Sequence, residues 1–113
     1  MLHPDTTGGI IVVVAYRAKP NQDDALRKIL KEHVPILRSL GLATERPPIF
    51  AQAKDGTYIE IFEWKSSQAI SEAHSNPRVH EMWKEFDTAC TYEILGNLDE
   101  CKNLFAGFGS LDL

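Results

Sequence analysis

The sequence lacks the features that mark secreted, membrane-spanning and nucleic-acid-binding proteins. Among its 113 residues it has two cysteines, Cys90 and Cys101, which do not form a CxxC pair and therefore favour reduced thiols in a reducing compartment. The longest apolar run, Ile10 to Ala15, is far shorter than the roughly 20 residues of a membrane span, and no basic segment precedes it as in a signal peptide. The formal net charge is -4 and no Lys/Arg cluster is present. We therefore expect a cytoplasmic protein that binds neither nucleic acid nor membranes.

Metal-binding motifs are also missing. No pair of the HxxxE or HExxH kind occurs, so no metal site is predicted, and we expect no cofactor. A chain of 113 residues with 43% hydrophobic and 25% charged residues is typical of one globular domain. We assign residues 1–113 to this domain, with a core at about 10–96 and an amphipathic tail at 97–113.

The first half of the core predicts a strand followed by a helix. The run IIVVVAYR, between Gly8-Gly9 and Lys19-Pro20, predicts a strand buried on both faces. Asn21 is a predicted N-cap, and apolar residues then recur at spacings of three and four as far as Gly41. Pro35 interrupts this pattern, so we expect one kinked helix rather than two.

The second half predicts a hairpin, a broken helix and a last strand. Asp55-Gly56 separates two extended segments, and the first of these begins properly only at Ile49 because two prolines precede it. A short helix follows, and Pro77 restarts it at a position where a missing N–H is harmless. The stretch TYEIL predicts a strand. The tail NLDECKNLFAGF predicts a short amphipathic helix with one apolar side, made of Leu98, Cys101, Leu104 and Phe105.

The order β-α-β-β-α-β predicts an α+β, ferredoxin-like fold with an antiparallel sheet and both helices on one face. The second strand of the hairpin has an aliphatic face, with Ile59 and Ile61, and an aromatic face with Tyr58, Phe62 and Trp64. We expect the aromatic face to be left uncovered by the helices. Covering it with a second copy of the sheet predicts a homodimer.

Two stretches, VVVAYRAKPNQDDALRKILKEHV and FEWKSSQAISEAHSNPRVHEMWKEF, resemble the antibiotic-biosynthesis-monooxygenase-like (ABM) domains of the dimeric α/β-barrel superfamily. The resemblance extends from about Ile10 to Leu95 and implies a dimeric α/β barrel. The superfamily includes cofactor-free oxygenases, haem-degrading enzymes, ring-cleaving or dehydrating enzymes and proteins without known activity. The resemblance alone therefore leaves the reaction open.

Haem degradation does not fit the sequence. Haem-degrading members carry an Asn on the first strand, a Trp on the short helix and a His on the following helix. The first strand here has no Asn, and Ala73 stands at the short-helix position. The later position falls near Trp83, with His80 almost one turn earlier. We therefore do not expect this activity.

Two residues are candidate catalytic groups. His74 follows Ile70 by four residues near the helix break, where a histidine would serve as a general base, or would only cap the break or anchor a strand end. Glu60 lies in the middle of the aromatic strand face, where burial disfavours the charged form and favours proton uptake. Alternatively, Glu60 forms an ion pair with Arg46 or Arg17 across the dimer.

The candidate substrate-binding residues surround these two groups: Tyr58, Phe62, Trp64, Arg46 and His33. His33 lies beside the Pro35 kink, which would open a pocket between helix and sheet, although a core histidine is the more ordinary interpretation. Trp83 has a spacing typical of core packing. We expect the stretch from Glu60 to Phe86 to form one wall of a cavity with Glu60 near its floor and with His74 and Trp64 reaching into it.

Two functions follow from these candidates. The first is a cofactor-independent monooxygenase-like protein that acts on a small aromatic or quinone-like metabolite in a cavity between helices and sheet. Such chemistry needs a group that removes a proton from the substrate and an apolar cage that holds the ring. The alternative is a non-catalytic dimeric module that binds a small apolar ligand or has a structural role.

Overall fold

The computed structural model describes residues 8–113, so residues 1–7 of the predicted domain lie outside the described residues. Five strands and three helices alternate along this part of the chain. In chain order they are β1 (Ile10–Ala18), α1 (Asp23–Ser39), β2 (Ile49–Gln52), β3 (Tyr58–Trp64), α2 (Ser67–Ala73), α3 (Pro77–Ala89), β4 (Cys90–Glu93) and β5 (Gly109–Ser110). No helix within residues 8–113 is both long enough and apolar enough to cross a membrane.

The strands form one antiparallel sheet in the order β4-β1-β3-β2-β5. The centre of the sheet is the long pairing of β1 with β3, which runs from Ile10 opposite Trp64 to Tyr16 opposite Tyr58. Helices α1 and α3 contact each other and share one hydrophobic core with β1 and β3. The architecture is α+β and compatible with the predicted ferredoxin-like fold.

Helix α1 is continuous through Pro35, in agreement with the prediction of one helix. Its start differs from the prediction, because Asn21 has a left-handed φ of 65° and lies in the turn before the helix, while Gln22 is the N-cap. Gly41 takes a φ of 75° after the last turn. The amide of Leu42 donates to the carbonyl of Leu37, a closure that the left-handed glycine permits.

Local signals fixed the hairpin and the broken helix as predicted. Gly56 has a φ of 96° in the turn between β2 and β3, and β2 begins at Ile49. The hydroxyl of Ser66 accepts a hydrogen bond from the amide of Ala69 and caps α2. Asn76 caps α3, whose first residue is Pro77.

The predicted assignment of the sheet faces is wrong. Tyr58, Phe62 and Trp64 lie beneath the helices and are buried, together with Ile10 and Tyr16 of β1, and the partly buried Val12, Val14 and Ala18 pack against the same core. The opposite face is the aliphatic one. On it Ile11 is 56% exposed and Ile49 61% exposed, so β1 is not buried on both faces as predicted. A period of two shows which residues share a face, but not which face the helices cover.

The tail covers part of the aliphatic face without forming the predicted helix. It makes two 3₁₀ turns, Leu95–Asn97 and Asp99–Lys102, before β5 pairs with β2. Leu98 is 1% exposed and packs against a small core that includes Ala15, Ala53 and Ile59. Leu104 and Phe105 are 93% and 88% exposed, so they do not pack on the chain's own sheet. So short a segment is a marginal helix, and local turns replace it.

Replacing Leu98 by Ala is expected to lower the free energy of unfolding by about 2–5 kcal/mol, because the substitution leaves a cavity in this small core. Leu104→Ala is the matched control and should change stability by less than about 0.5 kcal/mol, since that side chain is exposed. Chemical denaturation of both variants measures the difference. Equal losses in the two variants would show that the tail is not docked through Leu98.

Candidate functional site

Glu60 is the centre of a buried polar network. It lies in the middle of β3, opposite Val14 on β1 and Phe50 on β2, and its side chain has 0% exposure. The hydroxyl of Tyr16 donates to Oε1 of Glu60 over 2.7 Å. Nδ1 of His33 lies 2.9 Å from each carboxylate oxygen. A buried carboxyl group is costly without partners, and here both oxygens are hydrogen-bonded.

His33 is held in one orientation by this network and by two aromatic rings. Its ring meets Phe62 and Phe86 edge to face, at centroid distances of 5.0 and 5.1 Å. Because the Glu60 carboxylate accepts hydrogen bonds, we assign a proton to Nδ1. In the tautomer protonated at Nδ1, Nε2 is an acceptor. Every buried polar side-chain atom in residues 8–113 has a hydrogen-bond partner. Nε2 has no partner among these residues and so is not fully buried; His33 lines a neighbouring cavity.

Tyr16 completes the network on the β1 side. Burial raises the pKa of its phenol well above the ordinary value, and the negative charge of Glu60 raises it further. The phenol therefore stays neutral at physiological pH and keeps its proton for the hydrogen bond to Glu60. Its ring stacks on Phe86, with a centroid distance of 5.2 Å and an angle of 14°.

A cavity of about 400 Å³ lies directly beside this network. Its lining is mostly aromatic and comes from β1, α1, α3 and β4: Val14, Tyr16, His33, Trp83, Phe86, Asp87 and Tyr92. Hollows of about 540 and 730 Å³ also occur along α1, both lined by Lys31 and Pro35, but neither contains a buried titratable group. The cavity of about 400 Å³ beside Glu60 and His33 is the candidate site, because it combines aromatic walls with an acid–base pair.

The structure places His74 away from Glu60. This histidine is exposed at the C-terminal end of α2, where its Nδ1 donates to the carbonyl of Ile70 over 2.8 Å. Its ring meets Trp83 edge to face at 5.3 Å. These contacts agree with the alternative that His74 caps the helix break. Trp83 and Phe86, from the predicted cavity wall, do line the cavity, whereas His74 and Trp64 are not among its lining residues.

The other predicted binding residues have structural partners outside the cavity. The hydroxyl of Tyr58 donates to Asp23 and accepts from Nε of Arg27. Phe62 and Trp64 belong to the core under the helices. Of the five predicted substrate-binding residues, His33 alone lines this cavity.

The arginines proposed as partners of Glu60 lie elsewhere. Arg46 pairs with Glu63 at 3.1 Å, and Arg17 pairs with Asp55 and Glu93. The predicted ion pair of Glu60 with Arg46 or Arg17 across a dimer stays a prediction, and within the chain neither arginine contacts Glu60. Its partners there are His33 and Tyr16, which reach Glu60 without a partner subunit.

Sequence reasoning missed Tyr16 and Tyr92 as site residues and assigned Trp83 to packing alone. A signal for Tyr16 was present, because it is the one hydroxyl-bearing side chain in the run IIVVVAYR and so the residue able to meet a polar group on a neighbouring strand. Identifying Tyr92 as a site residue requires the register of β4, because that register places it opposite Tyr16. The two rings are 5.5 Å apart.

Comparisons with protein-family models, with curated proteins and with solved structures found no match. The resemblance to ABM-like domains thus depends on the residues quoted above alone. The chemistry of the cavity is therefore the basis for a proposed function.

Tyr16→Phe is expected to lower the free energy of unfolding by about 1–3 kcal/mol, because it removes a hydrogen bond from a fully buried carboxylate. Tyr92→Phe is the matched control, and it should change stability by less than about 0.5 kcal/mol because the Tyr92 side chain is half exposed. Urea unfolding at pH 7 compares the two variants. A larger loss in Tyr92→Phe would contradict the central place of Tyr16.

Alkaline pH gives a second test of Tyr16. In the unfolded chain its phenol ionises near the ordinary value of 10.0, whereas the folded-state pKa is raised well above it. The contribution of Tyr16 to stability is therefore complete below about pH 10 and lost as pH rises toward the folded-state pKa. Unfolding measured from pH 8 to 11 should show a shallower alkaline loss in Tyr16→Phe than in the wild type. An identical pH dependence would argue that Tyr16 is not buried beside Glu60.

Proposed function

We propose that this protein is a cofactor-independent monooxygenase-like enzyme that acts on a small aromatic or quinone-like metabolite. The observation that carries the proposal is the buried Glu60–His33 pair beside a cavity with aromatic walls. This arrangement moves the role of general base, which the sequence pattern suggested for His74, to His33. Glu60 keeps a part in the chemistry through His33.

The acid–base step uses the ring nitrogen that Glu60 leaves free. Nε2 of His33 removes a proton from an acidic O–H or C–H of a bound ring, and Nδ1 keeps its proton throughout. The carboxylate of Glu60 orients the imidazole and stabilises the imidazolium that forms, as a carboxylate does for the histidine of a hydrolase triad. Tyr16 acts as a positioning residue, because its hydroxyl holds Oε1 of Glu60.

The oxygenation step balances without a cofactor, because the substrate supplies the electrons. A ring CH₂ group activated by a neighbouring carbonyl, as in the keto tautomer of a hydroxylated ring, loses one proton to His33, and the resulting anion transfers one electron to O₂. The radical pair combines into a peroxide, which takes the proton back from His33. Loss of the second C–H proton and cleavage of the O–O bond then release water and leave a ring carbonyl. The sum is CH₂ + O₂ → C=O + H₂O.

The size and walls of the cavity support a ring-shaped substrate. A volume of about 400 Å³ is in the range of small-molecule sites. Trp83 and Phe86 on α3 and Tyr92 on β4 supply flat apolar surfaces around His33. The alternative function, a non-catalytic module, would use the same cavity for binding without turnover.

A homodimer is part of the proposal, but through the aliphatic face of the sheet rather than through the aromatic one. Ile11, Val13 and Ile49 form an exposed apolar surface on that face. A second copy of the sheet, related by a two-fold axis, would bury it and form the dimeric α/β barrel that the resemblance implies.

Both cysteines are free thiols, which supports the expected cytoplasmic location.

Oxygen uptake with anthrones and hydroquinones tests the enzymatic proposal. His33→Gln is expected to lower kcat about 100-fold or more, because it removes the general base. Glu60→Gln should also lower kcat, since the histidine loses the carboxylate that orients it. His74→Gln is the matched control, an exposed histidine that should leave turnover unchanged.

Melting temperatures of the three variants separate loss of chemistry from loss of folding. Turnover that depends on His74 and not on His33 would contradict the assignment of the base. If the rings bind to the wild type without any oxygen uptake, the protein is a binding module. That result would refute the monooxygenase proposal while leaving the cavity as a site.

Light scattering tests the dimer. The wild type should show twice the chain mass, and Val13→Lys should shift it to the monomer because a charge cannot be buried unpaired in the interface. Ala25→Lys, an exposed change on α1, is the control and should leave the mass unchanged. A wild type that is monomeric at micromolar concentration would refute this interface.

A further inference from the structure

The rim of the cavity carries an acidic group beside two aromatic rings. Trp83 and Asp87 are four residues apart on α3, so they occupy the same side of the helix about one turn from each other. Tyr92 on β4 lines the cavity with them. Rings of Trp and Tyr close to a carboxylate are the groups with which proteins bind organic cations.

The carboxylate of Asp87 has no ion-pair partner among residues 8–113. Lys19 lies close by and forms no ion pair with this carboxylate; its Nζ donates to the main-chain carbonyl of Asp87 over 2.6 Å. No Lys or Arg is present among the described residues that line the cavity. A ligand is therefore free to supply the positive charge.

The groups around the cavity experience a negative field. Burial raises the pKa of Tyr92 to about 12, and the charges of Asp87 and Glu60 contribute in the same direction. The pKa of Cys90 is raised to about 11, by burial first and by the charge of Asp87 second, while the charge of Lys19 lowers it. The two acidic groups, Asp87 and Glu60, thus favour a ligand of positive charge.

We propose that the ligand of this cavity is a phenol-like ring that carries a protonated amine, with the amine at Asp87 between Trp83 and Tyr92. The acidic hydroxyl of the ring then meets Nε2 of His33, which lines the same cavity. This inference rests on the proposed function for the location of the site and narrows the substrate class to hydroxylated aromatic amines. Asp87 is the specificity-determining residue.

Calorimetric titration with two probes tests the inference directly. Tyramine carries the amine, and 4-propylphenol has the same shape with a methyl group in place of the ammonium. At low salt and pH 7 the wild type should bind tyramine about tenfold more tightly, which is the effect of one favourable charge contact. Asp87→Asn should remove this preference and leave the affinity for 4-propylphenol unchanged.

Glu85→Gln is the matched control, because it removes the same charge from the exposed side of the same helix. It should keep the preference for tyramine. Equal affinities of the wild type for the two probes, no binding of either, or an equal loss in Glu85→Gln and Asp87→Asn would each overturn the inference.

The binding test is independent of turnover. A preference for tyramine without oxygen uptake from any substrate keeps this inference and refutes the monooxygenase. Oxygen uptake from neutral phenols, with equal affinities for tyramine and 4-propylphenol, refutes this inference and keeps the monooxygenase proposal.

Discussion

Glu60 imposes the strictest constraint on this fold. A carboxylate with no exposed surface is tolerated only where hydrogen bonds replace the water it has lost, and the two groups that replace it come from different elements. His33 comes from α1 and Tyr16 from β1, so one side chain of β3 fixes how the helix lies on the sheet. The same contacts orient the imidazole toward the cavity. The packing of the helix and the proposed chemistry thus depend on one pair of oxygens.

This arrangement also explains why the aromatic side of β3 lies inward. Large side chains fill the space between a helix and a sheet, and here Phe62 and Phe86 fill it around His33. The small and β-branched residues on the other face leave a flatter surface. Such a surface suits a second sheet better than a helix.

Much of the fold was predictable because its signals are local. Gly56 in the turn and Pro77 at the first position of α3 act within a few residues, and both have the predicted roles. The tail was mispredicted because its apolar spacing fits a helix, whereas a single residue, Leu98, makes the contact that fixes it. Which face of the sheet is covered depends on contacts between elements distant in sequence.

The sequence identified Glu60 and His33 as candidate site residues, but not the contact between them. Glu60 was identified from an acidic residue among aromatic ones, and His33 from its place beside Pro35. Their contact joins residues 27 positions apart and depends on the rotation of α1 about its axis. His74 was favoured because it follows a family-like pattern, yet a histidine near a helix break has an adequate partner in the preceding turn.

The two-residue strand β5 has a consequence for how copies of this chain can associate. It pairs with Ala51 and Gln52 and so covers the second half of the outer side of β2, which would otherwise be a free edge of the sheet. The edge that remains there is only two residues long, and β4 at the other end has four. Edges this short give an incoming strand few main-chain groups to pair with, which disfavours the lateral, open-ended stacking of sheets that leads to aggregates.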